Sequence, residues 1–99
     1  MATVKIIITP SADADVNAIA DFLGETRSPE VAIRFVRAFY KQLDILESAP
    51  EIGTPSLKQI GIRRVLVAKY NALYYEIVSD ILYVIRVIDT RSNPDANPY

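Results

Sequence analysis

Residues 62–88, IRRVLVAKYNALYYEIVSDILYVIRVI, decide the fold, because they contain three apolar runs of strand length in quick succession. The runs at 62–69, 72–78 and 81–88 are rich in Val, Ile and Tyr, which favour strands over helices. The Ser-Asp pair at 79–80 predicts a tight hairpin turn between the last two runs. The second half of the chain is therefore predicted to form three consecutive strands.

The chain begins with a pattern that predicts one strand and one helix. Residues 3–9, TVKIIIT, form a short β-branched run that ends at Pro10 and predicts a strand. Ser11 is the predicted N-cap of a helix, and Gly24 is its predicted end. The helix carries one apolar stripe at helical spacing. The stripe consists of Val16, Ile19, Ala20 and Leu23.

A second helix is predicted between Ser28, its N-cap, and Pro50, which cannot continue a helix. Pro29 takes the first helical position, where its missing N–H has no consequence. The apolar stripe of this helix consists of Ala32, Phe35, Val36, Phe39, Leu43 and Leu46. Residues 51–61 read as a loop. The predicted order is β-α-α-β-β-β, an α+β domain over residues 1–99 in which a helical hairpin packs on one face of a four-stranded, mainly antiparallel sheet.

Composition limits the chemistry that this chain can perform. The sequence has 99 residues, no cysteine and no histidine, so it lacks thiolate ligands and the commonest general base. Catalysis would have to use carboxylates, Lys, Arg, Tyr, Ser or Thr. No cofactor and no metal site are predicted. No apolar run approaches the length of a signal peptide or a membrane span, so we expect a soluble, cytoplasmic protein.

Charge is unevenly distributed along the chain. Residues 1–30 carry two basic residues against five acids, which gives −3, whereas residues 31–91 carry nine against six, which gives +3. The whole chain has a net charge of −1 and a pI of about 5.3, which is unlike the electrostatic footprint of a nucleic-acid-binding protein. Ordinary solvated faces explain the same pattern.

The last strand raises a problem of burial. Strict alternation along residues 81–88 predicts two sets of side chains, both apolar apart from one arginine. The sets are Ile81, Tyr83, Ile85 and Val87 on one side, and Leu82, Val84, Arg86 and Ile88 on the other. One helical hairpin covers only one face of the sheet, so either a partner covers the second face or the tail or the 51–61 loop folds over it. Arg86 is predicted to pair with Glu76 on the neighbouring strand.

The chain resembles the RelE/ParE superfamily of toxins from bacterial type II toxin–antitoxin systems. The resemblance extends over the whole length and lies in the order of elements and in four segments. These are ADADVNAIADFL (12–23), SPEVAIRFVRAFYKQLDILESAPEIG (28–53), GIRRVLVAKYNALYYEI (61–77) and VIRVIDTRSNP (84–94). It implies a toxin held inactive by a cognate antitoxin, whose tail would wrap the sheet and helices.

The resemblance leaves the activity open between two classes. ParE-like members poison DNA gyrase, and this sequence is closer to them. RelE-like members cut mRNA on the ribosome, for which Arg91, Tyr99 and Arg64 are the weak catalytic candidates here. The sheet arginine of those nucleases falls at Asn71, and the low pI is a second departure. A non-toxic interaction module of the same fold is a further alternative, and a homodimer is also compatible with the sequence.

Five residues are candidates for binding the target or the antitoxin: Arg63, Arg64, Arg86, Arg91 and Tyr83. Arg63 and Arg64 are adjacent on a strand and so face opposite sides, which leaves open which of them is available. Residues 89–99 are either the rim of a working surface, with Arg91 its main residue, or a stiff cover over the apolar sheet. The helix positions Arg34, Arg37 and Lys41 are either a solvated stripe or a docking site for an acidic segment.

Overall fold

The computed structural model describes residues 3–91 and 94–99, and it confirms the predicted order of helices and strands with one added strand and a short 3-10 helix in the tail. The elements are β1 (Lys5–Ile8), α1 (Pro10–Thr26), α2 (Pro29–Ser48), β2 (Thr54–Pro55), β3 (Ile62–Ala68), β4 (Asn71–Val78), β5 (Ile81–Asp89) and a short 3-10 helix (Pro94–Ala96). The added strand is β2, which lies inside the segment predicted to be a loop. Ser92 and Asn93, in the predicted tail, lie outside the described residues.

The strands form one mixed sheet in the order β1-β5-β4-β3-β2. β1 runs parallel to β5, and the other neighbouring strands are antiparallel. The sheet has five strands, one more than predicted. The additional strand, β2, has two residues and pairs Thr54 with Arg64 and Pro55 with Arg63. A two-residue strand shows no alternation in a sequence, and its proline is tolerated because β2 is an edge strand.

The helix α1 differs from its prediction at both ends. Thr9, not Ser11, is the N-cap: its backbone is extended and its Oγ1 accepts a hydrogen bond from the Ala12 N–H at 3.2 Å. Pro10 then takes the first helical position, so it starts the helix besides ending the strand. The helix does not end at Gly24 but continues to Thr26, and Gly24 lies within it next to Ala32 of α2.

The helix α2 begins as the sequence predicts. Ser28 Oγ accepts a hydrogen bond from the Val31 N–H at 3.2 Å, and Pro29 is the first helical residue. The two helices pack on each other and on one sheet face, and their apolar stripes fill the main core. Its buried members include Ala12, Val16, Phe35, Phe39, Leu43, Leu46, Leu73, Tyr75, Leu82, Val84 and Val87.

A β-bulge in β5 overturns the predicted alternation of that strand. Tyr75 of β4 lies opposite Val84 and Tyr74 lies opposite Arg86, so Ile85 is the extra residue. Beyond the bulge the faces exchange. Val87 joins the helix-side core, whereas Ile85 and Ile88 pack on the sheet face opposite the helices, which we call the second face.

Candidate functional site

The second face is covered at one end by residues 94–99, which we call the tail. Ile62, Ala72 and Tyr74 are buried there, and Tyr99 packs against them. The Tyr99 ring lies 5.3 Å from the Tyr74 ring, centroid to centroid, and Asn97 Nδ2 donates a hydrogen bond to Tyr74 Oη at 3.1 Å. The tail therefore folds over this end of the second face, as one of the two predicted alternatives expected.

The cover is incomplete, and a second segment of the chain holds it in place. Ser56 Oγ donates to the main-chain oxygen of Tyr99, and Lys58 Nζ donates to that of Asn97 at 2.6 Å. Gln59 adds a third bond to the tail. Leu66 and Val78, away from the tail, remain about half exposed at 49% and 48%. The apolar second face is thus closed at the tail and open elsewhere.

The segment that holds the tail is itself fixed by the buried Tyr75. The Tyr75 hydroxyl accepts a hydrogen bond from the Gly53 N–H at 2.9 Å and donates one to the Pro50 carbonyl at 2.7 Å. Arg63 Nη1 also donates to the Gly53 carbonyl at 2.8 Å and to that of Glu51 at 3.2 Å. Burial raises the pKa of the Tyr75 hydroxyl, which keeps it neutral. Of the two adjacent arginines, Arg63 therefore stabilises the fold by fixing the main chain of residues 51–53.

Arg64 is the exposed member of the pair and lines a cleft beside the tail, which we call the tail cleft. The cleft is lined by Thr54, Pro55, Ser56, Leu57, Lys58, Arg64, Tyr74, Asp89, Thr90, Asn97 and Tyr99. Two of the three predicted catalytic candidates, Arg64 and Tyr99, are brought together here. Their side chains provide a cation and a phenol, the groups that RNA cleavage without histidine would require.

Arg91, the third candidate, lies in a separate cleft on the helix side of the sheet, which we call the basic cleft. Its guanidinium carbon lies 4.2 Å from the centre of the Tyr70 ring, and its Nη2 forms an ion pair with Asp89 at 2.9 Å. Hydrogen bonding to Asp89 raises the pKa of Arg91 and lowers that of Asp89. The cleft is lined by Leu23, Arg27, Val31, Arg34, Phe35, Ala38, Ala68, Lys69, Tyr70, Asn71 and Arg91.

Arg86 is committed to an ion pair, but its partner is not the one predicted. Its Nε and Nη2 donate to the two carboxylate oxygens of Asp15 at 2.7 and 3.0 Å, and Asp15 also accepts the Val87 N–H at 2.9 Å. The predicted pair with Glu76 is wrong, because the bulge places Arg86 opposite Tyr74, while Glu76 lies opposite Tyr83. Asp15 thereby ties α1 to the end of β5.

Tyr83 lies on the second face, nearer the Ser79–Asp80 turn than the tail cleft is. It is partly buried and is not one of the residues that line the tail cleft or the basic cleft. The structure therefore spreads the five predicted binding residues over different surfaces. Arg64 is available at the tail cleft and Arg91 at the basic cleft, whereas Arg63 and Arg86 hold the fold together.

A third depression lies between the two helices and separates residues that the sequence places together. Arg37 and Ile33 of α2 line this groove with Asp21 and Glu25 of α1. Arg34 lies instead in the basic cleft. The predicted single stripe of Arg34, Arg37 and Lys41 is therefore divided between two surfaces.

Several residues of these clefts carry no local signal in the sequence. Lys58 and Asn97 reach the tail cleft only because the tail folds back onto the 54–59 segment. Lys69 and Tyr70 lie in the β3–β4 turn, and they meet Arg27 because α1 ends near that turn. The Lys-Tyr-Asn sequence at 69–71 resembles an ordinary turn, so only a three-dimensional structure brings it into the site.

Within residues 3–91 and 94–99, no group of three or more His, Cys, Asp or Glu side chains is arranged to hold a metal ion. Over the same residues, no helix is both long enough and apolar enough to cross a membrane.

The helical hairpin thus packs on one face of a mixed sheet, with the basic cleft at one end and the tail folded over the opposite face. The sequence matches the family model for the ParE toxin of type II toxin–antitoxin systems, parDE, over residues 6–94. Because the match covers most of the chain, this protein belongs to the ParE toxin family. No curated protein matches the sequence significantly.

Solved structures agree with this assignment at the level of the fold. A chain of the chromosomal ParDE system from P. aeruginosa is 19% identical, with a TM-score of 0.76, and the match covers 90% of this chain and 98% of that one. A YoeB/ParE toxin from Agrobacterium tumefaciens is 17% identical, with a TM-score of 0.62 and coverage of 86% and 96%. A YoeB from Staphylococcus aureus, solved as a dimer, is 16% identical, with a TM-score of 0.60 and coverage of 86% and 94%.

Proposed function

We propose that this protein is a toxin that inhibits DNA gyrase in the bacterial cytoplasm and that a cognate antitoxin neutralises it. Membership of the ParE family supports the class of function. The observation that supports the choice of a non-nucleolytic mechanism is that Arg91 and Tyr99 line different clefts. In this proposal the protein acts by binding and requires no cofactor.

The separation matters because RNA cleavage needs its groups on one phosphate. A group that activates the 2′-hydroxyl, a cation for the phosphorane and a proton donor for the leaving oxygen must all lie within hydrogen-bond reach of it. Arg91 opens to the helix side of the sheet, and Tyr99 is packed on the second face. Asn71, at the position of the nuclease arginine, lines the basic cleft and not the tail cleft.

Arg91 has the geometry of a preorganised binding residue. Its guanidinium is held against the Tyr70 ring and by Asp89, yet 62% of its side chain is exposed. Fixing a flexible arginine before binding reduces the entropy that association would otherwise cost. Arg91 is therefore the residue that we propose to contact the target protein.

Ribosome-dependent mRNA cleavage is the second candidate function, and one observation favours it. Arg64 and Tyr99 line the same cleft, with Lys58 beside them. In that alternative the tail cleft is the active site and Arg91 has no part in it. The two functions therefore assign different residues, which makes them separable by mutation.

A supercoiling assay with purified gyrase tests the proposal. We expect the protein to inhibit supercoiling, and Arg91→Ala to weaken the inhibition at least about tenfold, while its exposed ion pair contributes little to stability. Arg37→Ala, which removes the same charge from the groove between the helices, is the matched control and should inhibit as the parent does. Absence of inhibition by the parent protein, together with mRNA cleavage in a translating extract that Arg64→Ala abolishes, would establish the nuclease instead.

A further inference from the structure

The basic cleft contains cations that the fold itself does not neutralise. Arg27, Arg34 and Lys69 have no ion pair with any acidic side chain in the part of the chain that the structure describes. Among the cations that line this cleft, Arg91 alone has an ion pair within the described residues, with Asp89. The sequence spacing suits a pair between Glu30 and Arg34, four positions apart on α2, but the structure does not form it. The cleft therefore presents concentrated positive charge.

The floor of the basic cleft is apolar, which distinguishes it from a solvated charged surface. Leu23, Val31, Phe35, Ala38 and Ala68 line it between the cations. The Tyr70 ring forms a wall, with Lys69 Nζ at 5.3 Å and the Arg91 guanidinium carbon at 4.2 Å from its centre. The main chain of this wall is fixed, because the Thr90 N–H donates to the Tyr70 carbonyl at 2.7 Å.

We propose that the basic cleft binds an acidic peptide segment in which an apolar side chain lies between carboxylates. The cations would pair with the carboxylates, and the apolar floor would take the side chain between them. The cleft encloses about 430 Å³, which suits a few side chains and not a folded domain. The occupant is defined by its carboxylates and its apolar side chain, independently of the proposed function.

The electrostatics favour a peptide over a nucleic acid. Nucleic-acid grooves carry positive charge along an extended surface and normally belong to basic domains. This chain has a net charge of −1, and the groove next to the basic cleft on the helices carries two acids, Asp21 and Glu25, against one cation, Arg37. A phosphate backbone leaving the cleft in that direction would meet negative charge, whereas a short peptide ends within the cleft.

Titration of the ¹⁵N-labelled full chain with a synthetic peptide tests this proposal. The probe is a seven-residue peptide with a central leucine and three glutamates on each side, and the reference probe replaces every glutamate with glutamine. We expect shifts in the backbone amides of Arg27, Arg34, Lys69, Tyr70 and Arg91, and binding at least about tenfold weaker for the reference probe. Binding should weaken as salt rises from 50 to about 500 mM, because exposed charges are screened.

Two double variants with the same change in charge sharpen the test. Arg34→Gln with Lys69→Gln removes two cations of the cleft and should weaken peptide binding about tenfold. Arg37→Gln with Lys41→Gln removes two cations from elsewhere on α2 and should leave the affinity unchanged. All four substitutions are at exposed positions, and melting curves would verify that both variants fold.

Three outcomes would overturn the proposal. They are the absence of shifts in the cleft at millimolar peptide, equal binding of the glutamine probe, and tighter binding of a 12-nucleotide single-stranded DNA than of the acidic peptide at the same residues. None of these outcomes depends on gyrase. Failure of this inference can therefore be told from failure of the proposed function, which the supercoiling assay measures separately.

Discussion

Gly53→Ala tests whether the segment that supports the tail cleft is held as tightly as its contacts indicate. Gly53 is buried against Tyr75, and a Cβ added there would lie 2.8 Å from Tyr75 Cε1 and 2.9 Å from the Arg64 carbonyl oxygen. The added carbon would lie closer still to the Tyr75 hydroxyl. One of these groups must move, and the carbonyl belongs to the backbone of a strand.

The expected cost follows from two contributions. Overpacking of a tight interior site costs about 1–3 kcal/mol. Displacing the Tyr75 hydroxyl also weakens its bonds to the Gly53 N–H and the Pro50 carbonyl, each worth about 1 kcal/mol. We therefore expect a loss of about 3 kcal/mol in the free energy of unfolding, and a fall in Tm of roughly 15 °C for a chain of this size.

Gly24→Ala is the matched control, because the same methyl group meets open packing there. Its Cβ would lie 3.8 Å from the Ala32 Cβ, an ordinary contact, and alanine favours a helix over glycine by up to about 1 kcal/mol. Thermal and urea denaturation followed by circular dichroism should show a lower Tm for Gly53→Ala and an equal or higher Tm for Gly24→Ala. A Gly53→Ala variant that melts within about 3 °C of the parent would show that the site around Gly53 is not tightly packed.

Three further substitutions test separate contacts. Tyr75→Phe should lower the free energy of unfolding by about 2 kcal/mol at pH 8, because both hydrogen bonds of the hydroxyl are lost. Since burial raises the folded-state pKa of Tyr75, the stabilisation by its neutral hydroxyl is complete below about pH 10 and is lost above it. The difference between parent and variant in urea denaturation should therefore narrow at pH 11, and a constant difference would contradict this. Asp15→Ala should lower the free energy of unfolding by about 2 kcal/mol, because Arg86 and the Val87 N–H lose their shared partner. An unchanged urea midpoint would show that these contacts do not stabilise the fold. Tyr99→Ala should lower the free energy of unfolding by about 1 kcal/mol and, because it exposes the second face, increase the binding of a hydrophobic dye. Unchanged dye binding would show that Tyr99 does not cover this face.

The sequence predicts the elements of this fold well because most of them carry a local signal. The apolar stripe of α2, its Ser28 cap and the Ser79–Asp80 turn are all in place. Positions where two local signals compete were predicted less well. Thr9 and Ser11 are both good caps, and the choice of Thr9 is supported by bonds from its hydroxyl to main-chain oxygens of β5, which no local pattern shows.

The remaining differences come from one irregular residue and from contacts distant in sequence. The bulge at Ile85 reverses the faces of β5 beyond it. Val87 therefore lies in the core, and Arg86 lies opposite Tyr74 and not on the side that strict alternation predicts. A bulge adds one residue without changing composition, so alternation cannot reveal it. Asp15 and Arg86 are 71 residues apart, and only the packing of α1 on β5 brings them together.

The candidate site was predictable in its residue types but not in its grouping. Arg64, Arg91 and Tyr99 stand out in the sequence, and the structure divides them between two clefts. That division depends on two features of the chain after β5. The tail returns across the second face to reach Tyr74, while Arg91 turns back to Tyr70 on the helix side.

Pulse labelling in a bacterium after tightly controlled induction distinguishes inhibition of gyrase from inhibition of translation. Incorporation of thymidine, uridine and leucine would be followed together from the first minutes, with Arg91→Ala and Arg37→Ala induced to equal levels. If the protein inhibits gyrase, we expect thymidine incorporation to fall first. Arg91→Ala should delay this fall, and Arg37→Ala should not. If leucine incorporation falls first, the protein stops translation, and the assignment of the target to gyrase is wrong.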